Sequence, residues 1–252
     1  YFNQRFNHEL IFLVSSRPDM LGVSERLQRE KEYVFEFLDE FQNTFFFVKT
    51  RSDGFIQLHD AVVELINIYW WPEIDPRGDI RHELAQIACE WYDSLLDRIN
   101  DDAFRDDLLA EKISYMLDAN VHEAIKTLDE LGTHSFSLND LLVAEIDPQK
   151  IKELPNEFKH VVAKNLGERA IKVYSYNKAR EYWEIALGAA KDFSERTDAL
   201  LGLHNATHPI DLNLSLEILI ELKKECEKAG GNEDQLPKIL YEIGFIHSRL
   251  QD

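Results

Sequence analysis

Cysteine is nearly absent. The 252 residues include two, Cys89 and Cys226, far apart and each inside a helical pattern, which excludes a disulfide framework and a cysteine-rich metal site and fits a reducing compartment. Positive charge is also scarce: 28 Lys and Arg stand against 47 Asp and Glu, a formal charge of −19. A surface that acidic repels phosphate backbones and anionic headgroups, so nucleic acid and membrane are excluded as expected partners. Long apolar runs are missing. The most apolar early stretch, "LIFLV" at 10–14, is too short for a signal-peptide core, and no segment approaches the roughly 18 apolar residues of a membrane span. The chain reads as soluble and cytoplasmic. Glycine is limited to 10 residues with no Gly-Lys pair, so there is no phosphate-binding loop, and no Gly-x-Ser-x-Gly or other nucleophile-and-base pattern occurs. The chain by itself is expected not to be an enzyme and to carry no metal. It opens on Tyr1 rather than methionine and stops at Asp252 after what reads as the first helix of a pair, so it is expected to be a piece of something longer.

What is present is helical pattern, with 44% hydrophobic residues to build a core and Gly and Pro mostly as punctuation. Glu9 to Val14 has helical spacing, as do Tyr33, Val34, Phe37, Leu38 and Phe41. "TFFFVKT" and "FIQL" read as two short strands joined at Asp53-Gly54, where glycine supplies the positive φ of a tight turn. "DAVVELINIYWW" then reads as a helix capped by Asp60, with Val62, Val63, Leu65, Ile66 and Tyr69 buried. Two adjacent tryptophans, Trp70 and Trp71, diverge by about 100° on a helix, so one is expected to face another domain. The whole of 1–71 reads as a winged-helix-like module with a two-stranded wing.

After "PEIDPRGD", with Asp79 as the expected cap, Ile80, Leu84, Ile87, Ala88, Trp91, Leu95 and Ile99 form one apolar stripe. Shorter helices are expected at 106–117 and 121–131, then at "SLNDLL" and a Pro-bounded segment, 148–155. Residues 72–159 thus form a helical linker. In 160–252 a repeat emerges. "NLGERAIKVYSYNKAREYWEIAL" places Leu166, Gly167, Ala170, Ala179, Trp183 and Ala186 at tetratricopeptide-repeat spacings, small residues letting two helices approach and Trp183 filling the space between units. Weaker copies start at Leu201-Gly202, with Leu214 and Ile218, and at Ile243-Gly244. The glycines stand 35 and then 42 residues apart, so a lengthened turn is expected at "GGNEDQ". The fold class is therefore mainly α, ending in an α-solenoid whose last unit is incomplete.

Leu58-His59-Asp60 after the wing, followed by linker helices and repeats, resembles the C-terminal part of the STAND class of signal-transduction ATPases. The resemblance spans most of the chain, with "GFIQLHD" and the repeat at 166–186 as its motifs. It implies that His59 contacts the β-phosphate of ADP held by a separate nucleotide-binding domain in cis, locking a resting state, with Asp60 fixing the local geometry. ADP or ATP would enter only through that domain, whose phosphate loop this chain lacks. A protein or peptide ligand would bind the repeats.

Other constellations are weaker. His204 and His208, four apart with Asp211 near, have metal-ligand spacing, but Pro209 ends the helix there. Asp101, Asp102, Asp106 and Asp107 lack the glycine and alternating ligands of a calcium loop and read as helix caps. "SERLQREKE" reads as a solvated helix start. The alternatives to a STAND part are a stand-alone repeat scaffold and a winged-helix DNA-binding regulator, the latter opposed by Glu36, Asp39 and Glu40 on its would-be recognition helix.

Overall fold

The computed structural model describes Phe6 and residues 8–15, 31–44, 48–50, 56–228 and 236–251. The described chain is mainly helical and divides into two compact units, Tyr1–Asp101 with Asp118–Asn120, and Asp102–Leu117 with Val121–Asp252. This division follows packing, whereas the sequence motifs place boundaries at 71 and 159. No helix among the described residues is long and apolar enough to cross a membrane.

In the first unit, α1 (His8–Ser15) buries Leu10 and α2 (Lys31–Thr44) buries Leu38, while Glu36, Asp39 and Glu40 stay in solvent. The side chains of Tyr33, Val34 and Phe37 lie outside the described residues, as does most of "SERLQREKE". β1 (Val48–Thr50) pairs antiparallel with β2 (Ile56–Leu58), Lys49 opposite Gln57, and Phe6 exchanges two backbone bonds with the buried Ile56 at 3.0 and 2.8 Å. The Asp53-Gly54 turn lies outside the described residues. Three residue pairs are too little to define a wing. Beyond β2, α3 (Asp60–Leu65) continues into a π-helical turn, Ile66–Trp70, and then α4 (Trp71–Ile74).

The next helix, α5 (Asp79–Leu96), starts differently from expectation. Gly78 is the N-cap residue, in the left-handed region at φ 80°, and Asp79 is already helical. The capping carboxylate comes from buried Asp75, whose oxygens accept from Ile80 N at 3.2 Å and Arg81 N at 2.9 Å, with Arg81 Nε at 3.2 Å. Burial pushes that carboxyl up, but the two amides and the guanidinium outweigh it and hold it below the ordinary carboxylate range. The stripe on α5 is buried at Leu84, Ile87, Ala88, Trp91 and Leu95; Ala85, Tyr92 and Leu96 widen it, and Ile99 lies past the helix end.

The second unit is a run of helices joined by short connections: α6 (Asp102–Ala119), α7 (Val121–Leu131), α8 (Phe136–Glu145), α9 (Pro148–Glu153), α10 (Asn156–Lys172), α11 (Tyr176–Ala189), α12 (Phe193–Thr207), α13 (Leu212–Lys228) and α14 (Leu236–Gln251). Each of α10 to α14 packs on the next, and α10 also touches α12, an arrangement consistent with an α-solenoid. Because α6 begins at Asp102, Asp106 and Asp107 sit inside it rather than capping it, and burial beside Asp102 pushes the Asp106 carboxyl up. The "GGNEDQ" turn lies outside the described residues.

Two devices hold the unit together. Trp183 of α11 is buried with its indole against glycines on either side. A Cβ built on Gly167 of α10 falls 2.7 Å from Nε1, and one built on Gly202 of α12 falls 2.2 Å from Cε2. Ala170 on α10 and Ala179 and Ala186 on α11 are fully buried, small side chains that suit closely packed helices. Leu201, by contrast, is exposed although Leu166 before Gly167 is buried. The second device is Arg169, 1% exposed, which donates to Asn165 Oδ1 at 2.7 Å, Asn139 Oδ1 at 2.7 Å and the Leu128 carbonyl at 2.6 Å. One guanidinium thereby ties α10 to α7 and α8, and burial lowers its pKa from the ordinary arginine value.

Candidate functional site

His59 stands where β2 gives way to α3, in extended backbone with φ −67° and ψ 136°. Its carbonyl accepts from Val62 N at 2.8 Å and its Nδ1 accepts from Ala61 N at 3.3 Å, so His59, not Asp60, is the N-cap, and Asp60 is the first residue of the helix. A histidine can do this because a neutral ring nitrogen is an acceptor, as a capping carboxylate oxygen is. With Nδ1 taking the amide, the neutral ring carries its proton on Nε2, and the side chain is exposed. The corner therefore holds one oriented N–H donor in solvent at a helix N-terminus.

The following turns carry apolar side chains in solvent. Leu65 is 56% exposed, Ile68 53%, Tyr69 68%, Trp70 57% and Ile74 45%. Burial of Leu65 and Tyr69 was expected and does not occur. At Tyr69 the cause is the π-helical turn, whose extra residue shifts its side chains off an α-helical stripe; Leu65 comes before that turn. Val62, Val63 and Ile66 are half-buried, and of the two tryptophans Trp71 goes into the core while Trp70 stays out. Five large apolar side chains within ten residues of one helical segment thus stand in solvent.

The histidine pair offers no comparable site. His204 Nδ1 shares a 2.8 Å hydrogen bond with Ser215, and Asp211 Oδ1 caps α13 by accepting from Asn213 N and Leu214 N, both at 3.0 Å. His208 packs edge-on against His204 and stacks on Phe245. Among the described residues no group of three or more His, Cys, Asp or Glu is placed to hold a metal. Burial, followed by the neighbouring His208, holds the His204 imidazole below its ordinary value, against smaller opposing effects of Glu242 and Ser215. The sign follows from the depressed folded value. Above about pH 6.5 the ring is neutral in both states and the fold has its full stability; below it the unfolded chain takes up a proton that the folded state resists. Stability in urea should therefore fall between about pH 7 and pH 5, and the slope should flatten in His204→Gln. An unchanged slope would assign the pH dependence to other groups.

No protein-family model, curated protein or solved structure matches the chain.

Proposed function

We propose that this chain is the regulatory and ligand-sensing part of a STAND-type signalling ATPase. Its tetratricopeptide-like repeats take a protein ligand, and the N-terminal module of 1–71 relays the event to a nucleotide-binding domain in cis. The observation that carries the reading is His59: an exposed ring whose cap bond leaves Nε2–H pointing outward, with Leu65, Ile68, Tyr69, Trp70 and Ile74 uncovered on the same segment. A phosphate oxygen is a natural acceptor for that N–H at a helix N-terminus, and an apolar patch is what a docking domain would cover. A stand-alone repeat scaffold leaves both features without a use. DNA binding is opposed by exposed Glu36, Asp39 and Glu40 on α2.

The reading frame upstream of Tyr1 tests this directly. A strand, a Gly-x-x-x-x-Gly-Lys-Ser/Thr loop and a helix are expected within a few hundred residues. A frame that starts at or near Tyr1 would overturn the latch and leave a repeat-based binding protein.

A further inference from the structure

Of the five helices from α10 to α14, α14 is held most loosely. Among its described side chains Ile239 and Ile246 are buried, while Leu240, Tyr241, Phe245 and Leu250 stay exposed. Its neighbour α13 sinks Ser215, Ile218, Leu219, Leu222 and Cys226. Where α14 meets the end of α12 it meets two imidazoles instead of an apolar face. Phe245 of α14 stacks on His208, with centroids 6.4 Å apart and planes 20° apart, and His208 lies edge-on to His204 at 5.5 Å. His204 is buried and shares its Nδ1 with Ser215 Oγ of α13 at 2.8 Å. His208 Nδ1 is sealed from solvent with no hydrogen-bond partner among the described residues. The charged groups around the pair are few. Glu242 of α14 faces His204, Arg249 of α14 lies over the Phe245 ring at 5.9 Å, and Asp211 spends its Oδ1 on the amides of Asn213 and Leu214.

We infer that this junction is a pH-operated release, in which proton uptake by His204 frees α14 from α12 and α13 while the helices before it stay folded. With α14 docked, a proton on His204 places a cation out of water beside a second imidazole, with one carboxylate, Glu242, to answer it. Burial, and after it His208, outweigh Glu242 and hold the docked ring below its ordinary value. A ring that water reaches takes the proton near pH 6.5, so acid below that value favours the opened state. The wall that gives way is the one with the least buried apolar surface, which is α14. Opening also supplies water to His208 Nδ1, relieving a buried atom that the docked state leaves unsatisfied.

The test is amide hydrogen exchange of the chain at pH 7.5 and 5.5, corrected for the intrinsic effect of pH, with and without urea below the unfolding transition. Amides of α14 are expected to be less protected than those of α10 to α12 and insensitive to the urea, the mark of an opening that exposes little surface. On acidification they should lose roughly three- to tenfold of their protection, tenfold being the ceiling for a ring that titrates near pH 6.5 in water. His204→Gln keeps a partner for Ser215 without a titrating ring and should abolish the change. Glu242→Gln should move it toward the ceiling, because the docked ring loses the carboxylate that helps it hold a proton. Each reading is a ratio between two pH values, so a variant that loosens α14 at both still tests the inference. Protection of α14 equal to that of α10 to α12, or exchange that follows the urea, would mean that α14 opens only with the whole unit and would overturn the release. A ratio near one in the unaltered chain, or the same ratio in His204→Gln, would overturn the role of the ring.

Discussion

Gly202→Ala is expected to lower stability by about 3 kcal/mol or more, whereas the same change at Gly244 costs nothing. The two glycines occupy matching places in the repeat pattern, and only their surroundings differ. At Gly202 the new methyl would sit 2.2 Å from the Trp183 ring, which is rigid, buried and pressed from its other side by Gly167. Neither helix can move without opening the other contact. At Gly244 a Cβ meets nothing within 4 Å, and replacing a helical glycine by alanine gains up to about 1 kcal/mol from backbone entropy. Thermal unfolding followed by circular dichroism separates the two variants. Equal melting temperatures would mean that the indole does not wedge between α10 and α12.

Arg169→Ala should be the second severe change, at about 3–5 kcal/mol, because it strands buried acceptors rather than merely losing contacts. The Leu128 carbonyl and Asn139 Oδ1 would both lose their guanidinium donor in a region that water does not reach. Arg169→Lys should recover less than half of the loss, since one ammonium cannot reach partners on three helices in a fixed plane. Lys126→Ala is the contrasting control. That side chain is 63% exposed and pairs with Glu123 and Glu130 at 3.9 and 3.8 Å, and exposed pairs contribute about 0–1 kcal/mol. A urea titration in which Arg169→Ala and Lys126→Ala behave alike would contradict the tying role of the guanidinium.

Features set by local spacing were legible in the sequence. The small residues Gly167, Ala170, Ala179 and Ala186 and the large Trp183 announce a close helix contact through their sizes, and all are buried there. The α5 stripe was legible for the same reason. What escaped depended on backbone geometry or on distant partners. Asp75 caps α5 from outside the helix because Gly78 turns the chain back through the left-handed region, so the nearer Asp79 looked like the cap. The π-helical turn at 66–70 leaves no sequence signal that an α-helical count would detect, which is why Tyr69 reads as buried from the sequence. Arg169 draws its acceptors from positions as distant in sequence as Leu128 and Asn139, and a lone arginine in a helical pattern reads as solvated. At the candidate site the motif singles out His59, but its cap bond to Ala61, which sets the direction of the free N–H, has no signature in it.

The latch is tested most directly by the nucleotide retained by the full-length gene product purified with and without His59→Ala. If Nε2 of His59 holds the β-phosphate, the unaltered protein keeps ADP through gel filtration, and the variant binds it roughly 10- to 100-fold more weakly, the worth of one hydrogen bond to a charged group. Equal retention of ADP by both proteins, with α3 still folded, would contradict a phosphate contact and leave His59 as the cap of a helix.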